Sequence, residues 1–224
     1  MKKVIFWDFD GKLVKENKRF VWALNRSLSF YGFSVKEEEI EEFLRSVYPW
    51  LNYDCSYEGE TDKWWDRFLL SLTPFYDKIG ASKEQANEIS ADYKRRIIEE
   101  NDYVLHEDTV EVLNATIGMG YENYLLSNNY PELTEMMKRL QIFDLFSGFV
   151  VSAHVGYEKP RKELFDYAKK LAGVQTAVMV GDNPVADVIG AKNAGFTAVL
   201  VHRNQPSEAD YSFDTLKPIL GILK

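Results

Sequence analysis

Val4-Ile5-Phe6-Trp7-Asp8-Phe9-Asp10-Gly11 is a continuous apolar run broken off by two acids and a glycine. Continuous rather than alternating apolarity suits a strand covered on both faces, as in a parallel sheet. Asp8 and Asp10 stand two apart in extended chain, so both carboxylates point the same way. Four further runs have the same texture: Tyr124-Leu125-Leu126, Phe149-Val150-Val151, Ala177-Val178-Met179-Val180 and Ala198-Val199-Leu200-Val201. Helical stripes separate them. Val110, Leu113 and Ile117 precede Gly118; Leu133, Met136, Met137 and Leu140 follow Pro131. Leu164, Tyr167, Ala168 and Leu171 run from Pro160 to Gly173, and Val185, Val188, Ile189 and Ala191 from Pro184 to Gly195. Proline at a helix start and glycine past its end mark these boundaries. Strand and helix in alternation predict an α/β fold with a Rossmann-like, five-stranded parallel sheet.

Residues 15–105 read differently. No strand pattern occurs there, and four amphipathic stripes do. Phe20, Leu24, Leu28 and Tyr31 stop at Gly32. Ser34 with Glu37 has capping-box spacing and opens Ile40, Phe43, Leu44 and Val47, ended by Pro49. Trp65, Phe68, Leu69 and Leu72 precede Pro74. Ser82 with Gln85 opens Ala86, Ile89, Tyr93 and Ile97. The expected organisation is a core made of residues 1–14 and 106–224, with 15–105 inserted as a four-helix-bundle-like helical subdomain.

Composition narrows the function. The 224 residues include 46% hydrophobic and 28% charged side chains, the make-up of a globular protein rather than a disordered or fibrous one. A formal net charge of −8 argues against a polynucleotide partner, which needs a basic face. It leaves room for a small anionic ligand met by local groups. Cys55 is the single cysteine, so an internal disulfide is impossible and a reducing, cytoplasmic setting is expected. No stretch approaches the ~18 apolar residues of a membrane span. Nothing in the sequence specifies an oligomeric state.

In a doubly wound sheet, ligands bind beyond the carboxyl ends of the strands. The first run delivers Asp8 and Asp10, paired carboxylates whose mutual repulsion a divalent cation would relieve; oxygen donors at this density suit Mg²⁺. The second delivers Ser127-Asn128-Asn129, a hydroxyl and free backbone N–H groups able to cradle an anion or simply to cap a helix. Lys159-Pro160 follows the third and brings a point charge. The fourth delivers Gly181-Asp182, with Asp187 five residues on, placed to orient Asp182 or Lys159. Each motif alone is common in structural roles. Together, in this order and each following an apolar run, they converge on one sheet edge.

With these motifs the chain resembles the haloacid-dehalogenase-like hydrolase superfamily, in particular phosphatase-type members with a helical cap inserted after the first motif. Asp8-Phe9-Asp10-Gly11 matches the first motif, Ser127 the second, Lys159 the third, and Gly181-Asp182-Asn183 to Asp187 the fourth. The resemblance implies a Mg²⁺-dependent phosphomonoesterase acting on a small phosphorylated metabolite. Asp8 would be the nucleophile that forms an aspartyl-phosphate, and Asp10 the general acid and base. Ser127, the Asn128 N–H and Lys159 would bind phosphoryl oxygens. Asp8, the Asp10 carbonyl and Asp182 would hold the metal, with Asp187 supporting them. The second aspartate of the first motif separates phosphatases from the dehalogenases of this family. A phosphomutase on the same scaffold, or a non-catalytic binding module with an impaired metal site, are the competing possibilities.

The chain departs from the family pattern at Lys12, where a threonine is usual. An ammonium there is expected to contact the metal-site carboxylates and weaken Mg²⁺ binding. Arg161-Lys162 also replaces the frequent Asp-Pro. Trp22, Trp50, Tyr53, Trp64 and Trp65 either fill the helical core or stack on a leaving group, and residues 49–60 are the insertion segment expected to reach the site. A nucleoside monophosphate and a sugar phosphate both stay open as substrates.

Overall fold

Six parallel strands carry the sheet: β1 (Lys3–Trp7), β2 (Tyr121–Ser127), β3 (Gly148–Val151), β4 (Val178–Gly181), β5 (Thr197–Val201) and β6 (Tyr211–Phe213). They lie in the order β3-β2-β1-β4-β5-β6. A computed structural model of the chain describes residues 2–15, 17–53, 56–100, 103–203 and 207–223. Cys55, on which the redox expectation rests, lies outside the described residues. β1 is central because its residues tolerate burial on both faces: Ile5, Phe6 and Trp7 are wholly buried. From β1 the chain builds outward through β2 and β3, then crosses back to lay β4 on the other side of β1. That reversal makes the carboxyl ends of β1, β2 and β4 the place for a ligand.

The sheet has six strands where five apolar runs predict five. β6 escapes the pattern because its three residues, Tyr-Ser-Phe, form a short edge with two exposed positions and no continuous apolar run. Between the strands lie α6 (Thr109–Gly118), α7 (Leu133–Arg139), α8 (Ser152–Val155), α9 (Lys162–Ala172), a π-helical turn (Pro184–Ile189) and α10 (Gly190–Asn193). Their buried faces differ in part from the sequence stripes. In α6 Val112, Leu113 and Thr116 face inward while Val110 and Ile117 are exposed; in α9 Tyr167 and Leu171 are exposed and Phe165 and Ala172 are buried. Neighbouring apolar positions offered two overlapping stripes, and packing against the sheet chose one.

The chain divides into two compact units. Met1–Glu16, Tyr53–Thr61 and Tyr103–Lys224 form the sheet unit, and Asn17–Asn52 with Asp62–Asp102 form a helical unit. Residues 53–61 thus group with the sheet: the Tyr57 N–H donates to the Gly156 carbonyl (2.9 Å). In the helical unit, five α-helices occur among the described residues: α1 (Arg19–Phe30), α2 (Glu37–Val47), α3 (Trp64–Leu70), α4 (Thr73–Lys78) and α5 (Lys83–Glu99). Four were expected; Pro74 opens α4 instead of merely ending α3. The Ser82/Gln85 capping box is formed, whereas α2 starts from an extended Lys36 with no side-chain cap, so the Ser34/Glu37 box is not. Trp64 and Trp65 are buried, and Trp50 stacks on Tyr48 at 4.4 Å beside Phe20, so aromatic rings fill this unit's interior. No helix of the described residues is long and apolar enough to cross a membrane.

Candidate active site

Asp8 leaves the carboxyl end of β1 with its N–H held by the Val180 carbonyl of β4 at 3.0 Å. Three residues later the chain turns through Gly11, whose φ of +79° a side chain would resist. A Cβ there would also lie 2.8 Å from Asp182 Oδ2. The turn therefore closes directly over the acid supplied by the end of β4.

Four of the other six residues expected at the site gather around Asp8. Ser127 Oγ, at the end of β2, donates to Asp8 Oδ1 (2.8 Å), and Lys159 Nζ lies 3.1 Å from the same oxygen. Lys159 also bonds Asp187 Oδ1 at 2.6 Å and the Leu126 carbonyl at 2.9 Å. Asp187 rides on the π turn, where the Val188 N–H reaches back to the Asn183 carbonyl (3.2 Å). Its second oxygen accepts the N–H groups of Asp182 and Asn183, both at 3.0 Å, fixing the loop that presents Asp182. Gly181 is required behind it, since a Cβ there would fall 2.1 Å from the Asp187 carboxyl. Asp8, Asp182 and Asp187 each offer a carboxylate oxygen within 4.8 Å of the others.

Asp10 and Asn128 complete the set in different ways. Asp10 Oδ2 accepts from Asn129 Nδ2 at 2.6 Å, beside the cluster rather than in it. Asn128 turns its side chain to the backbone of Lys159: Nδ2 donates to the Lys159 carbonyl (3.0 Å) and Oδ1 accepts the Lys159 N–H (2.6 Å). This two-point clasp positions the lysine.

Lys12 enters the centre of the cluster. Its ammonium bonds Asp8 Oδ2 and, at 2.8 Å, Asp182 Oδ1, and the residue is only 3% exposed. The expected contact with the acidic pair is thus present. Other residues take roles that the sequence did not assign them. Arg203 Nε lies 3.2 Å from Asp182 Oδ2, Asn129 braces Asp10, and Tyr57 Oη donates to Glu158 Oε1 at 2.6 Å. Glu158 is wholly buried; its place next to Lys159 is its only cue in the sequence, because burial is not visible there.

The electrostatics divide the acids by role. Burial pushes Asp8 upward, but the Lys12 and Lys159 ammonium groups outweigh it and hold its carboxyl well below the usual range. Asp10 is exposed, yet desolvation of its carboxyl by the surrounding groups and then repulsion from Asp8 raise it to about 6. Burial opposes the Lys12 charge, but Asp8, Asp182 and Asp187 more than compensate and keep it protonated. One acid is locked as an anion; its neighbour exchanges a proton near neutrality.

A doubly wound parallel sheet with acids gathered beyond the strand ends at its switch point has the architecture of a ligand-binding α/β domain, and its family makes it a hydrolase. The chain belongs to the haloacid dehalogenase-like hydrolases, whose family model matches residues 2–195. It is 28% identical over 238 aligned positions to the phosphoserine phosphatase of Thermus thermophilus, covering 95% of this chain and 94% of the relative. With the glyceraldehyde 3-phosphate phosphatase of Pyrococcus abyssi it shares 31% identity over 205 positions, covering 89% and 81%. Among solved structures, a predicted phosphoglycolate phosphatase from Haemophilus somnus superposes with a TM-score of 0.73 at 20% identity, covering 100% and 98%.

Proposed function

We propose that the protein is a cytoplasmic phosphomonoesterase that acts on a small phosphorylated metabolite through an aspartyl-phosphate on Asp8. The observation that carries this is the placing of Asp8 among Lys12, Lys159 and Ser127, which favour its ionised form, with Asp10 two residues on and held by Asn129. Asp8 attacks phosphorus while Asp10 gives its proton to the departing oxygen. Asp10, now ionised, then removes a proton from the water that hydrolyses the acyl-phosphate, returning both residues to their starting states. Asn129 holds Asp10 in place for both transfers. Lys159 and Ser127, which share Asp8 Oδ1 in this structure, are set to take phosphoryl oxygens along with the Asn128 N–H.

The acidic cluster has the donor chemistry of a hard-cation site. Asp8, Asp182 and the Asp10 carbonyl would hold Mg²⁺, which would offset the charge of the phosphate. Lys12 already bonds both of those side chains, so the ion and this ammonium compete for the same oxygens.

Substrate choice is assigned to the helical cap (residues 15–105 in the sequence division), because the groups on the sheet core are generic to phosphate esters. The relatives point to small monoesters such as phosphoserine and glyceraldehyde 3-phosphate. The test is release of inorganic phosphate from an aryl phosphate and from a panel of these esters, nucleoside monophosphates and sugar phosphates. Asp8→Asn is expected to abolish turnover. Turnover unchanged in Asp8→Asn would overturn the assignment, and uniform slow hydrolysis of the panel would remove any named substrate.

A further inference from the structure

Lys12 is an ammonium group buried where the proposed chemistry calls for a divalent ion. Its Nζ bridges Asp8 and Asp182, and Arg203 holds the other oxygen of Asp182. Each of these acids has a cationic partner: the carboxylates of Asp8, Asp182 and Asp187 face the buried ammonium groups of Lys12 and Lys159 and the exposed guanidinium of Arg203. Lys12 and Arg203 together equal one divalent ion. A buried ammonium is costly unless paired, and an acidic pair stripped of its cation is equally so. The turn through Gly11 fixes the Lys12 backbone immediately beside the acids, with the Lys12 N–H on the Phe9 carbonyl (3.2 Å), so the side chain is delivered locally.

We propose that Lys12, with Arg203, is a tethered replacement for the divalent cation: it neutralises Asp8 and Asp182 so that the site works without a metal, and Mg²⁺ binds only by displacing it. The catalytic half of this proposal rests on the phosphomonoesterase assignment; the binding half rests on the geometry alone. An ammonium seated between Asp8 and Asp182 repels Mg²⁺ and takes up the space between the same two acids, so removing it is expected to strengthen metal binding.

The decisive measurement is calorimetric titration of Mg²⁺ into the wild-type chain, Lys12→Thr and Lys12→Met, each checked for folding by circular dichroism. Mg²⁺ is expected to bind both variants at least tenfold more tightly than the wild type. Equal affinity in all three proteins overturns the proposal. In parallel, aryl phosphate hydrolysis is measured with EDTA and with Mg²⁺. The wild-type rate is expected to change less than twofold on chelation, and the Lys12→Thr rate to fall at least tenfold. Wild-type turnover that vanishes with EDTA and returns with Mg²⁺ also overturns it. If Asp8→Asn turns over like the wild type, the phosphatase assignment fails instead, while the calorimetry still decides whether Lys12 holds the cation position.

Discussion

Lys159 Nζ lies 2.6 Å from Asp187 Oδ1, and both side chains are 1% exposed. The other Asp187 oxygen takes two backbone N–H groups, so this one carboxylate ties a buried cation to the loop bearing Asp182. Asp187→Asn cannot serve both sides, because its amide NH₂ must face either the ammonium or the N–H pair. Replacement is expected to cost about 3–5 kcal/mol in urea unfolding, the scale of breaking a buried pair. A loss within experimental error would show that the carboxylate does not hold this loop.

Glu158 carries the clearest pH signature of stability. Burial is the main cause of its rise to about 7, with the Tyr57 hydroxyl opposing. A folded-state value above the unfolded one means the native chain holds the proton longer. This contribution is complete below about pH 4.5 and is lost as pH rises through about 7. The span corresponds to about 3 kcal/mol. Glu158→Gln keeps the shape and removes the titration, so the difference in unfolding free energy between the two proteins is expected to change between pH 5 and 8. A constant difference contradicts the assignment.

Asp10 is raised to about 6 first by desolvation and then by Asp8, so its acid form is present below that pH and is lost above it. For an ester with a poor alkoxide leaving group, kcat/KM is expected to fall toward tenfold per pH unit above about 6. An aryl phosphate, whose leaving group scarcely needs a proton, is expected to show a shallower decline. Parallel profiles for the two esters would rule Asp10 out as the acid. Asp10→Asn is expected to lower turnover of the alkyl ester by about 10²–10⁴-fold.

Two glycines are expected to rank differently. Gly11→Ala forces an alanine to φ +79° with its Cβ 2.8 Å from an Asp182 oxygen, a side-chain atom able to shift. About 1–2 kcal/mol is expected from the left-handed backbone. Gly181→Ala puts its Cβ 2.1 Å from a carboxyl locked on both sides, so the larger loss of thermal stability is expected there. Melting temperatures of the two variants check the order, and the reverse order contradicts the account.

The five buried strands were readable because covering a strand on both faces demands an unbroken apolar run, and Val4–Trp7 shows it most plainly. β6 was not, since an exposed edge makes no such demand. The inward faces of α6 and α9 were blurred for a related reason: Val110 and Val112, or Leu164 and Phe165, offer adjacent stripes that only a neighbouring surface can separate.

At the site, sequence order alone determined which acids and hydroxyl follow the strands and that Lys159 comes in the connection after β3, because each stands beyond a short apolar run. Tertiary structure decided what each group touches. Laying β1 between β2 and β4 brings Ser127, Lys159 and Asp182 to Asp8 from 119 or more residues away. It also brings in Arg203 and the Tyr57–Glu158 pair and turns Asn129 onto Asp10, contacts that no local pattern specifies. Lys12 shows the division most sharply. Its departure from the family pattern was visible in the chain, but bridging Asp8 to Asp182 depends on a distant loop arriving opposite it, and contact through space has no period along a sequence.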